Sequence, residues 1–344
     1  MREILRSAVD EMAVPSQQAR TEATQNWGSS AAHSKYMADW SCMREIELRQ
    51  PEITAPTPET LTIAAWNIER CKHVEGAAAL IRKTGADIVL ATEVDHGMAR
   101  SSQRHTTADL ARELGFGYAF GVEFVELGIG DPFEVKAHTG EENLHGLHGN
   151  AIVSRFPLHD VAVIPLDDGG DWYVRAPKND GQYRVGGRMA IAAKVQTTQG
   201  PLALAAVHFE SESDAGGREL QTERMLTGLN ALYGEIPCLI GGDLNTAGFA
   251  AKAMTGQETL AAPQAVEPAF NRFAKAGFDW RDANTPAITT RHAPGRVVQY
   301  PLRKIDWLFS RSVQAQESFV QAALSERGEY LSDHELIATR VSLL

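Results

Sequence analysis

The stretch 236-IPCLIGGDLNT-246 decides the fold class of this chain. Its apolar first half stops at Gly241 and Gly242 and is followed by Asp243 and Asn245. The pattern predicts a buried strand that ends where two glycines let the backbone bend. Asp243 and Asn245 then face the same way at the mouth of a sheet and offer a carboxylate and an amide. An Asx-turn that closes the strand explains these residues equally well when the stretch is considered alone.

The overall composition limits the classes of protein to be considered. The chain has 344 residues, of which 43% are hydrophobic and 22% charged, so it can form one large α/β domain or two ordinary ones. Its formal net charge is −11 and its pI is about 5.5. Diffuse negative charge disfavours binding to nucleic acid, although a local basic patch would override it.

The cysteines and the amino-terminal sequence indicate where the protein is located. Its three cysteines, Cys42, Cys71 and Cys238, indicate no disulfide framework. The segment 1–18 lacks the apolar stretch of a signal peptide, and the sequence contains no apolar run long enough to cross a bilayer. We therefore expect a cytoplasmic protein without a membrane span.

Predicted strands and helices alternate along most of the chain, which favours an α/β sandwich. The strands 61-LTIAAWNIER-70 and 86-ADIVLATEVD-95 are separated by a helix predicted at about 74–84. Another helix, at about 217–233, precedes the opening stretch, and apolar strands close the chain.

Residues 1–58 are predicted to form a helical extension and linker, followed by a catalytic domain at 59–344. The apolar residues of its first predicted helix recur at helical spacing and are Ile4, Leu5, Ala8, Val9 and Met12. A second helix is predicted at about 36–48. We expect this extension to pack on the surface of the main domain; a dimer interface or a wall of the substrate site are the alternatives.

Two long polar loops interrupt the main domain. We interpret the insertion 126–148 as a solvated flap rather than a metal site, because the spacing of its ionisable residues fits no compact motif. Those residues are Glu134, His138, Glu141, Glu142, His145 and His148. The loop 167–187 mixes aromatic and cationic residues, which suits an anionic or ring-bearing ligand but also an ordinary exposed loop. Those residues are Trp172, Tyr173, Arg175, Lys178, Tyr183 and Arg184.

Polar residues recur where the predicted strands end. They are Asn67, Glu69, Glu93, Asn150, His208, Asp243, Asn245, Asp306, Asp333 and His334. Taken singly, each has a structural explanation as a core histidine, a turn residue or a cap. If these strand ends converge, however, the site holds five carboxylates, which cannot all be ionised side by side without a cation. Carboxylates without thiolates are the ligands of a hard ion such as Mg²⁺ or Mn²⁺.

Seven motifs identify a resemblance to a known family. They are WNIER, ATEVD, GNAIVSRFPL, VHFES, GGDLNT, KIDWLF and SDH, and in this order they resemble the endonuclease/exonuclease/phosphatase superfamily of metal-dependent hydrolases, from about residue 61 to residue 344. The resemblance implies a four-layer α/β sandwich, in which two mixed sheets lie face to face with helices outside.

The resemblance also implies how the metal is held. Glu93 is expected to ligate it, and Asn67, Glu69 and Asp333 are expected to support it directly or through water. The divalent ion would offset charge on the phosphate oxygens and on the leaving group.

Catalytic roles follow from the same resemblance. His334 is expected to contact the scissile phosphate or transfer a proton, with Asp306 orienting and charging its ring. Asp243 and Asn245 are expected to position the attacking water and a phosphate oxygen. His208 matches a histidine that some branches of the superfamily use as a second acid.

Two further residues, Asn150 and Arg188, are the candidates for binding substrate. The chain departs from the abasic-site endonucleases, since their phosphate-binding tyrosine has no clear counterpart here. Our hypothesis is a Mg²⁺- or Mn²⁺-dependent phosphodiesterase or phosphatase that cleaves a P–O bond in a small or medium-sized, or lipid-like, phosphoester. The alternatives are a nuclease acting on DNA or RNA, a non-catalytic binding protein, and a hydrolase of a different bond on the same fold.

Overall fold

The computed structural model describes residues 2–53, 56–175, 182–254, 256–295 and 301–343. The strands are β1 Ser7–Val9, β2 Glu45–Arg49, β3 Leu61–Arg70, β4 Ile88–His96, β5 Gly117–Glu126, β6 Leu147–Ser154, β7 His159–Pro165, β8 Arg184–Gly186, β9 Met189–Thr197, β10 Gly200–His208, β11 Cys238–Asp243, β12 Asp306–Arg311, β13 Val313–Gln321 and β14 Leu336–Leu343. The α-helices are α1 Gln17–Gln25, α2 Ser30–Asp39, α3 Val74–Thr84, α4 Thr106–Leu114, α5 Pro132–Ala137, α6 Asp171–Val174, α7 Ala215–Tyr233, α8 Gly248–Ala251, α9 Gly256–Ala261 and α10 Ala269–Lys275. Short 3₁₀ helices lie at Ser41–Met43, Ala99–Ser101 and Pro263–Ala265.

The strands form two mixed sheets. The first has the order β1-β2-β5-β6-β4-β3-β14-β13, with β8 paired to β5, and the second has the order β12-β11-β10-β9-β7. The pairs β1/β2, β3/β4 and β10/β11 are parallel, and the other pairs are antiparallel. None of the helices within the described ranges combines the length and the apolar character that crossing a membrane requires.

The two sheets pack face to face, and helices cover their outer faces. Leu90 of β4 and Leu204 of β10 belong to one buried apolar cluster between the sheets. Ile81 of α3 joins the cluster on the outer face of the first sheet, and Phe270 of α10 joins the cluster outside the second. Burial of apolar surface on both faces of each sheet stabilises this arrangement. The four-layer α/β sandwich predicted from the sequence is therefore confirmed.

The two glycines of the opening stretch have different roles. β11 ends at Asp243, one residue after Gly242, and Gly242 has a positive φ of 148°, as the prediction of an unusual backbone at this point requires. A Cβ atom on Gly241 would come within 2.7 Å of Leu308 in the neighbouring strand β12 and within 2.9 Å of Ala65 in the facing sheet. Close approach of the two sheets, rather than a bend, therefore requires glycine at this position.

The amino-terminal segment contains strands as well as helices. The helix predicted from the spacing between Ile4 and Met12 is wrong, because Ser7–Val9 pair in parallel with Glu45–Glu47 and the backbone of Leu5 exchanges two hydrogen bonds with Val163 of the second sheet. The second predicted helix ends at Asp39, and its predicted carboxyl-terminal part is β2, which pairs with β5. Residues 1–58 thus extend the first sheet, while the division into two domains stays a prediction.

The insertion 126–148 is partly buried, so its interpretation as a solvated flap is wrong for two residues. Glu134 and His148 are only 3% and 4% exposed. The guanidinium of Arg100, also buried, lies 3.3 Å from a Glu134 oxygen and 2.9 Å from an oxygen of Asp95, and Asp95 in turn contacts His148 at 2.8 Å. These charges are buried because each has a partner of opposite sign or a hydrogen bond.

The loop 167–187 also contributes to the interior. The Tyr173 hydroxyl donates to the carbonyl of Ala23 at 2.7 Å, which ties the loop to α1. Arg184 is buried against Glu126 at 3.0 Å and stacks 4.6 Å above the ring of Trp172. Lys178, which the sequence suggested as a ligand contact, lies outside the described residues.

Candidate active site

Strands from both sheets bring the predicted residues to one edge of the sandwich. In the second sheet, Asp243 at the end of β11 is paired with His208 on one side and with Asp306 on the other. In the first sheet, Asn67 of β3 is paired with Thr92, which precedes Glu93 in β4. Because β10 and β11 are parallel and β12 runs in the opposite direction, the ends of two strands and the start of a third meet here.

One amide joins the two sheets at the centre of the site. The Asn67 Nδ2 atom donates to Glu93 Oε1 at 3.0 Å and to Asp243 Oδ2 at 3.2 Å. Asn67 is 1% exposed and Asp243 2% exposed. Burial, assisted by the neighbouring Asp306 carboxylate and opposed by His334, raises the pKa of Asp243 to about 6. A single donor group thus fixes the separation of two carboxylates from different sheets.

The backbone around this amide is distorted. Glu69 and Glu93 have positive φ values of 42° and 57°, and both lie where the strand register shifts by a bulge. Asn245 has a φ of 48°, and its backbone N–H donates to Asp243 Oδ1 at 2.8 Å. Left-handed conformations in residues other than glycine are uncommon and cluster at functional sites, where they aim particular side chains.

His334 and Asp306 form the predicted pair. The Nδ1 atom of His334 lies 2.9 Å and 3.0 Å from the two Asp306 oxygens, and its Nε2 atom lies 3.7 Å from Asp243 Oδ2. Burial alone would lower the pKa of His334, but the Asp306 and Asp243 carboxylates outweigh it and raise the pKa to about 10. The imidazole is therefore cationic at neutral pH, with Nε2–H on the side of Asp243.

His208 faces the same carboxylates in the opposite charge state. Its Nδ1 atom lies 3.1 Å from Nη1 of Arg188, which can only donate, so Nδ1 accepts and the proton is on Nε2. Nε2 lies 3.7 Å from Asp243 and 3.8 Å from Glu93. Burial, together with the Arg188 charge, holds the pKa of His208 well below its usual range. The ring is therefore a neutral donor.

Arg188 is held behind His208. Its guanidinium pairs with Glu210 at 2.9 Å and with Glu123 at 3.2 Å, and the residue is only 3% exposed. Burial raises the pKa of Glu123 to about 7, even with Arg188 beside it. These contacts favour a positioning role for Arg188 rather than the direct phosphate contact suggested by the sequence.

The remaining predicted residues surround this centre. The Glu69 carboxylate accepts from Tyr330 at 2.5 Å and from Lys72 at 3.2 Å, and the Asn245 side chain donates to the Phe209 carbonyl at 2.9 Å. Asn150 donates to the Met189 carbonyl, and its Oδ1 atom is buried without a hydrogen-bond partner among the described residues. Asp333 adds to the raised pKa of the adjacent His334.

Sequence reasoning missed two cations at the site. Arg70 pairs with Glu93 through Nη1, and its Nε lies 3.6 Å from Glu134. Lys304 donates to the Asp306 carbonyl at 3.2 Å, and burial lowers its pKa to about 7. Both cations are recognisable in the sequence by their position beside predicted acidic residues: Arg70 ends the motif WNIER and Lys304 begins the motif KIDWLF.

The donor set fits a hard divalent cation. The carboxylates of Asp243 and Asp306 each offer an oxygen, and these oxygens lie within 4.8 Å of one another, while Glu93 is joined to Asp243 by the Asn67 amide. Carboxylate and amide oxygens dominate, as Mg²⁺ and Mn²⁺ require. Burial raises the pKa of Asp243, the Asp306 carboxylate adds to that effect, and a bound cation would favour the ionised form of Asp243.

Two mixed sheets that face each other, with an acidic cluster at one edge, are the arrangement that the seven sequence motifs predict. The family model described as the Endonuclease/Exonuclease/phosphatase family matches residues 64–334, so the chain belongs to this family. Members of the family are hydrolases that act on phosphoesters. No curated protein matched the chain.

Solved structures agree with the fold. An endonuclease/exonuclease/phosphatase from Beutenbergia cavernae is 21% identical with a TM-score of 0.57, and the alignment covers 83% of this chain and 72% of that one. An endonuclease/exonuclease/phosphatase from Bacteroides vulgatus is 18% identical, with a TM-score of 0.54 and coverage of 83% and 99%. D. rerio TDP2, complexed with a single strand DNA product, is 15% identical, with a TM-score of 0.51 and coverage of 83% and 100%.

Proposed function

We propose that this protein is a Mg²⁺- or Mn²⁺-dependent hydrolase that cleaves a P–O bond in a small or medium-sized phosphoester. The observation that carries the proposal is the Asn67 amide, which holds Glu93 and Asp243 beside the His334–Asp306 pair. Asp243 is the base that holds the attacking water and accepts its proton at a carboxylate oxygen. A pKa near 6 suits that task, because the carboxylate is ionised at neutral pH yet basic enough to take a proton.

The two histidines have different tasks because their charges differ. His334 binds a phosphate oxygen through its cationic Nε2–H, while Asp306 holds Nδ1–H and fixes the ring orientation. His208 donates a neutral hydrogen bond from Nε2, with Arg188 fixing its tautomer from the other side. Asn245 and Asn150 are the candidates for holding the remaining phosphate oxygens.

A divalent ion would be held by Glu93, with Asn67, Glu69 and Asp333 supporting it directly or through water. When bound, it supplies Lewis-acid stabilisation of the charge that develops on the phosphate oxygens. Arg70, which pairs with Glu93, orients that carboxylate. The oxygen-rich donor set supports Mg²⁺ or Mn²⁺.

Net charge favours a small substrate over a nucleic acid. A chain with a formal charge of −11 repels a polyanion over its surface, whereas a single phosphoester needs only the local cations of the site. A nuclease would show binding to DNA or RNA that weakens steeply with salt. A pure binding protein has no use for a buried base and a cationic imidazole in contact, and it would turn over nothing.

Paired alanine variants test the proposal. Asp243→Ala and His334→Ala should each lower kcat/KM for bis-p-nitrophenyl phosphate or p-nitrophenyl phosphate by about 10²–10⁴-fold, because each removes a group that acts on the reacting atoms. Asp282→Ala, which removes an exposed carboxylate, is the matched control and should keep full activity. Circular dichroism checks that all three variants fold. Wild-type turnover in both site variants would overturn the assignment.

A further inference from the structure

Two cations at the candidate active site are shared with one carboxylate of the insertion 126–148. Arg70 pairs with Glu93 through Nη1, and its Nε atom lies 3.6 Å from Glu134 Oε1. Lys72 is arranged in the same way, since its Nζ atom lies 3.2 Å from Glu69 Oε1 and 3.3 Å from Glu134 Oε1. A single oxygen of Glu134 thus faces both cations, and each cation in turn faces a carboxylate of the proposed metal site.

The start of α5 holds the Glu134 side chain in place. The backbone N–H of Glu134 donates to Asp131 Oδ1 at 2.8 Å, and Glu134 Oε2 accepts from the backbone N–H of Asp131 at 3.0 Å. This reciprocal capping box satisfies two backbone donors at the helix start. Arg100 donates to the same Oε2 atom at 3.3 Å. Because Oε2 is fixed in this way, Oε1 is aimed at Arg70 and Lys72.

The aimed oxygen acts through its charge. Glu134 Oε1 and Arg70 Nε are both buried without a hydrogen-bond partner among the described residues, although they face each other. Few buried polar atoms in native proteins are unpaired, and each such atom calls for an explanation. Burial opposes ionisation of Glu134, but Arg70, Arg100 and Lys72 outweigh it and hold the pKa of Glu134 well below its usual range. The carboxylate is therefore charged at neutral pH, and its attraction for the two cations needs no hydrogen bond.

We propose that Glu134 is a positioning residue for the proposed metal ligands and that it acts through Arg70 and Lys72. The inference rests on the proposed function, because it concerns the ion that Glu93 would hold and Glu69 would support. Without Glu134, the charges of Arg70 and Lys72 would act on the two ligand carboxylates alone and would oppose a divalent cation beside them. The negative charge of Glu134 offsets both cations, so the ligand carboxylates keep their attraction for the ion. Removing a group that lies behind metal ligands commonly changes metal affinity by about 10–100-fold.

This role makes the insertion 126–148 part of the ion's surroundings. Glu134 lies in α5, after β5, whereas Arg70 ends β3 and Lys72 follows it. The contacts therefore join two segments that are distant in sequence. Of the two cations, Lys72 is the more accessible, with 25% of its side chain exposed against 15% for Arg70. Replacing Lys72 therefore disturbs the packing of the site less than replacing Arg70.

Binding of Mn²⁺ to the full chain tests the proposal without any substrate. Each protein is stripped with EDTA, desalted and titrated with Mn²⁺, while the free ion is followed by electron paramagnetic resonance. Glu134→Gln removes the charge and keeps the size of the side chain, and Lys72→Gln removes one of the cations that it faces. Glu126→Gln is the matched control, because this carboxylate is also buried and also faces Arg100, but it pairs with Arg184. Thermal unfolding in EDTA checks that each variant folds.

We expect Glu134→Gln to bind Mn²⁺ about 10–100-fold more weakly than wild type, and Glu126→Gln to stay within about threefold of wild type. Lys72→Gln should bind Mn²⁺ more tightly, by about threefold or more, because a positive charge beside Glu69 is removed. The double variant Glu134→Gln/Lys72→Gln should recover part of the affinity that Glu134→Gln loses. Loosened packing, in contrast, would weaken binding in both single variants.

The outcomes separate this inference from the proposed function. Wild-type affinity in Glu134→Gln, equal losses in Glu134→Gln and Glu126→Gln, or weaker binding by Lys72→Gln would each overturn the inference alone. If Glu134→Gln does not fold, the sign of the Lys72→Gln effect decides. Glu93→Gln removes a proposed ligand and should weaken Mn²⁺ binding at least as much as Glu134→Gln does. Unchanged binding in Glu93→Gln, or no binding by wild type, would overturn the proposed function and the inference with it.

Discussion

Replacing Asn67 by leucine removes the amide that spans the two sheets. Leucine has a similar size but no donor, so Glu93 and Asp243 lose the hydrogen bonds of 3.0 Å and 3.2 Å that fix their separation. Each hydrogen bond to a charged group contributes about 1.5–3 kcal/mol, so the two together are worth about 3–6 kcal/mol. If that free energy is lost in the reacting complex, kcat/KM falls by about 10²–10⁴-fold.

The matched control for this change is Asn284→Leu. Asn284 is also buried, and its amide also donates two hydrogen bonds, to the carbonyls of Trp280 and Leu308 at 2.7 Å each. It lies outside the candidate active site, so Asn284→Leu should lower the melting temperature while the folded protein keeps its kcat/KM within about threefold of wild type. Steady-state hydrolysis of bis-p-nitrophenyl phosphate with saturating Mn²⁺, alongside thermal unfolding, separates the two effects.

The result that would refute this reasoning is equal behaviour of the two variants. If Asn67→Leu keeps activity within about threefold of wild type, the amide does not organise the two carboxylates for the reaction. If Asn284→Leu loses as much activity as Asn67→Leu, the loss comes from general destabilisation of the fold.

Three further predictions concern stability. Gly241→Val inserts a side chain where Leu308 leaves no space, so the free energy of unfolding measured in urea should fall by about 1–3 kcal/mol. An unchanged unfolding midpoint would contradict the close approach. Arg100→Met removes a cation that three buried carboxylates share and leaves Asp95 without an ion pair to an arginine, so it should cost about 3–5 kcal/mol in the same assay. A stabilised variant would show that the ion pairs are dispensable. Burial opposes ionisation of Glu210, but the Arg188 charge outweighs burial and lowers the pKa of Glu210 from 4.5 to about 2. The Glu210 carboxylate therefore stabilises the fold fully above pH 4.5, and this stabilisation is lost as the pH falls through 2. Wild type should therefore lose melting temperature more steeply than Glu210→Gln across that interval, and equal slopes would contradict the ion pair.

The sequence predicts the sheets of the main domain well because their strands are long and apolar. The strands Leu61–Arg70 and Cys238–Asp243 are buried along almost their whole length, with Asn67 three residues before the end of the first and Asp243 at the end of the second. The pairing of His334 with Asp306 was an expectation from the family resemblance, and the two side chains are in contact. Residues as far apart in sequence as Asn67 and His334 meet because parallel and antiparallel neighbours bring their strand ends to one edge.

The errors arise where distant contacts override local pattern. Ile4 and Met12 have helical spacing, yet Ser7–Val9 form a strand because β2 supplies hydrogen-bonding partners 38 positions away, at Glu45 for Ser7. The polar loop around Glu134 predicts a solvated side chain, yet Glu134 is buried because Arg100 faces it. Neither partner can be inferred from the residues nearby in sequence.

Hydrolysis by metal-free protein, with Mg²⁺ and Mn²⁺ added back, tests the central claim most directly. The substrates are bis-p-nitrophenyl phosphate, p-nitrophenyl phosphate, a choline phospholipid and plasmid DNA. We predict that protein stripped with EDTA is inactive, that either ion restores turnover of a small or lipid-like phosphoester, and that the plasmid stays intact. Turnover that survives EDTA, preferential cleavage of the plasmid, or silence across the panel from folded, metal-loaded protein would contradict the account.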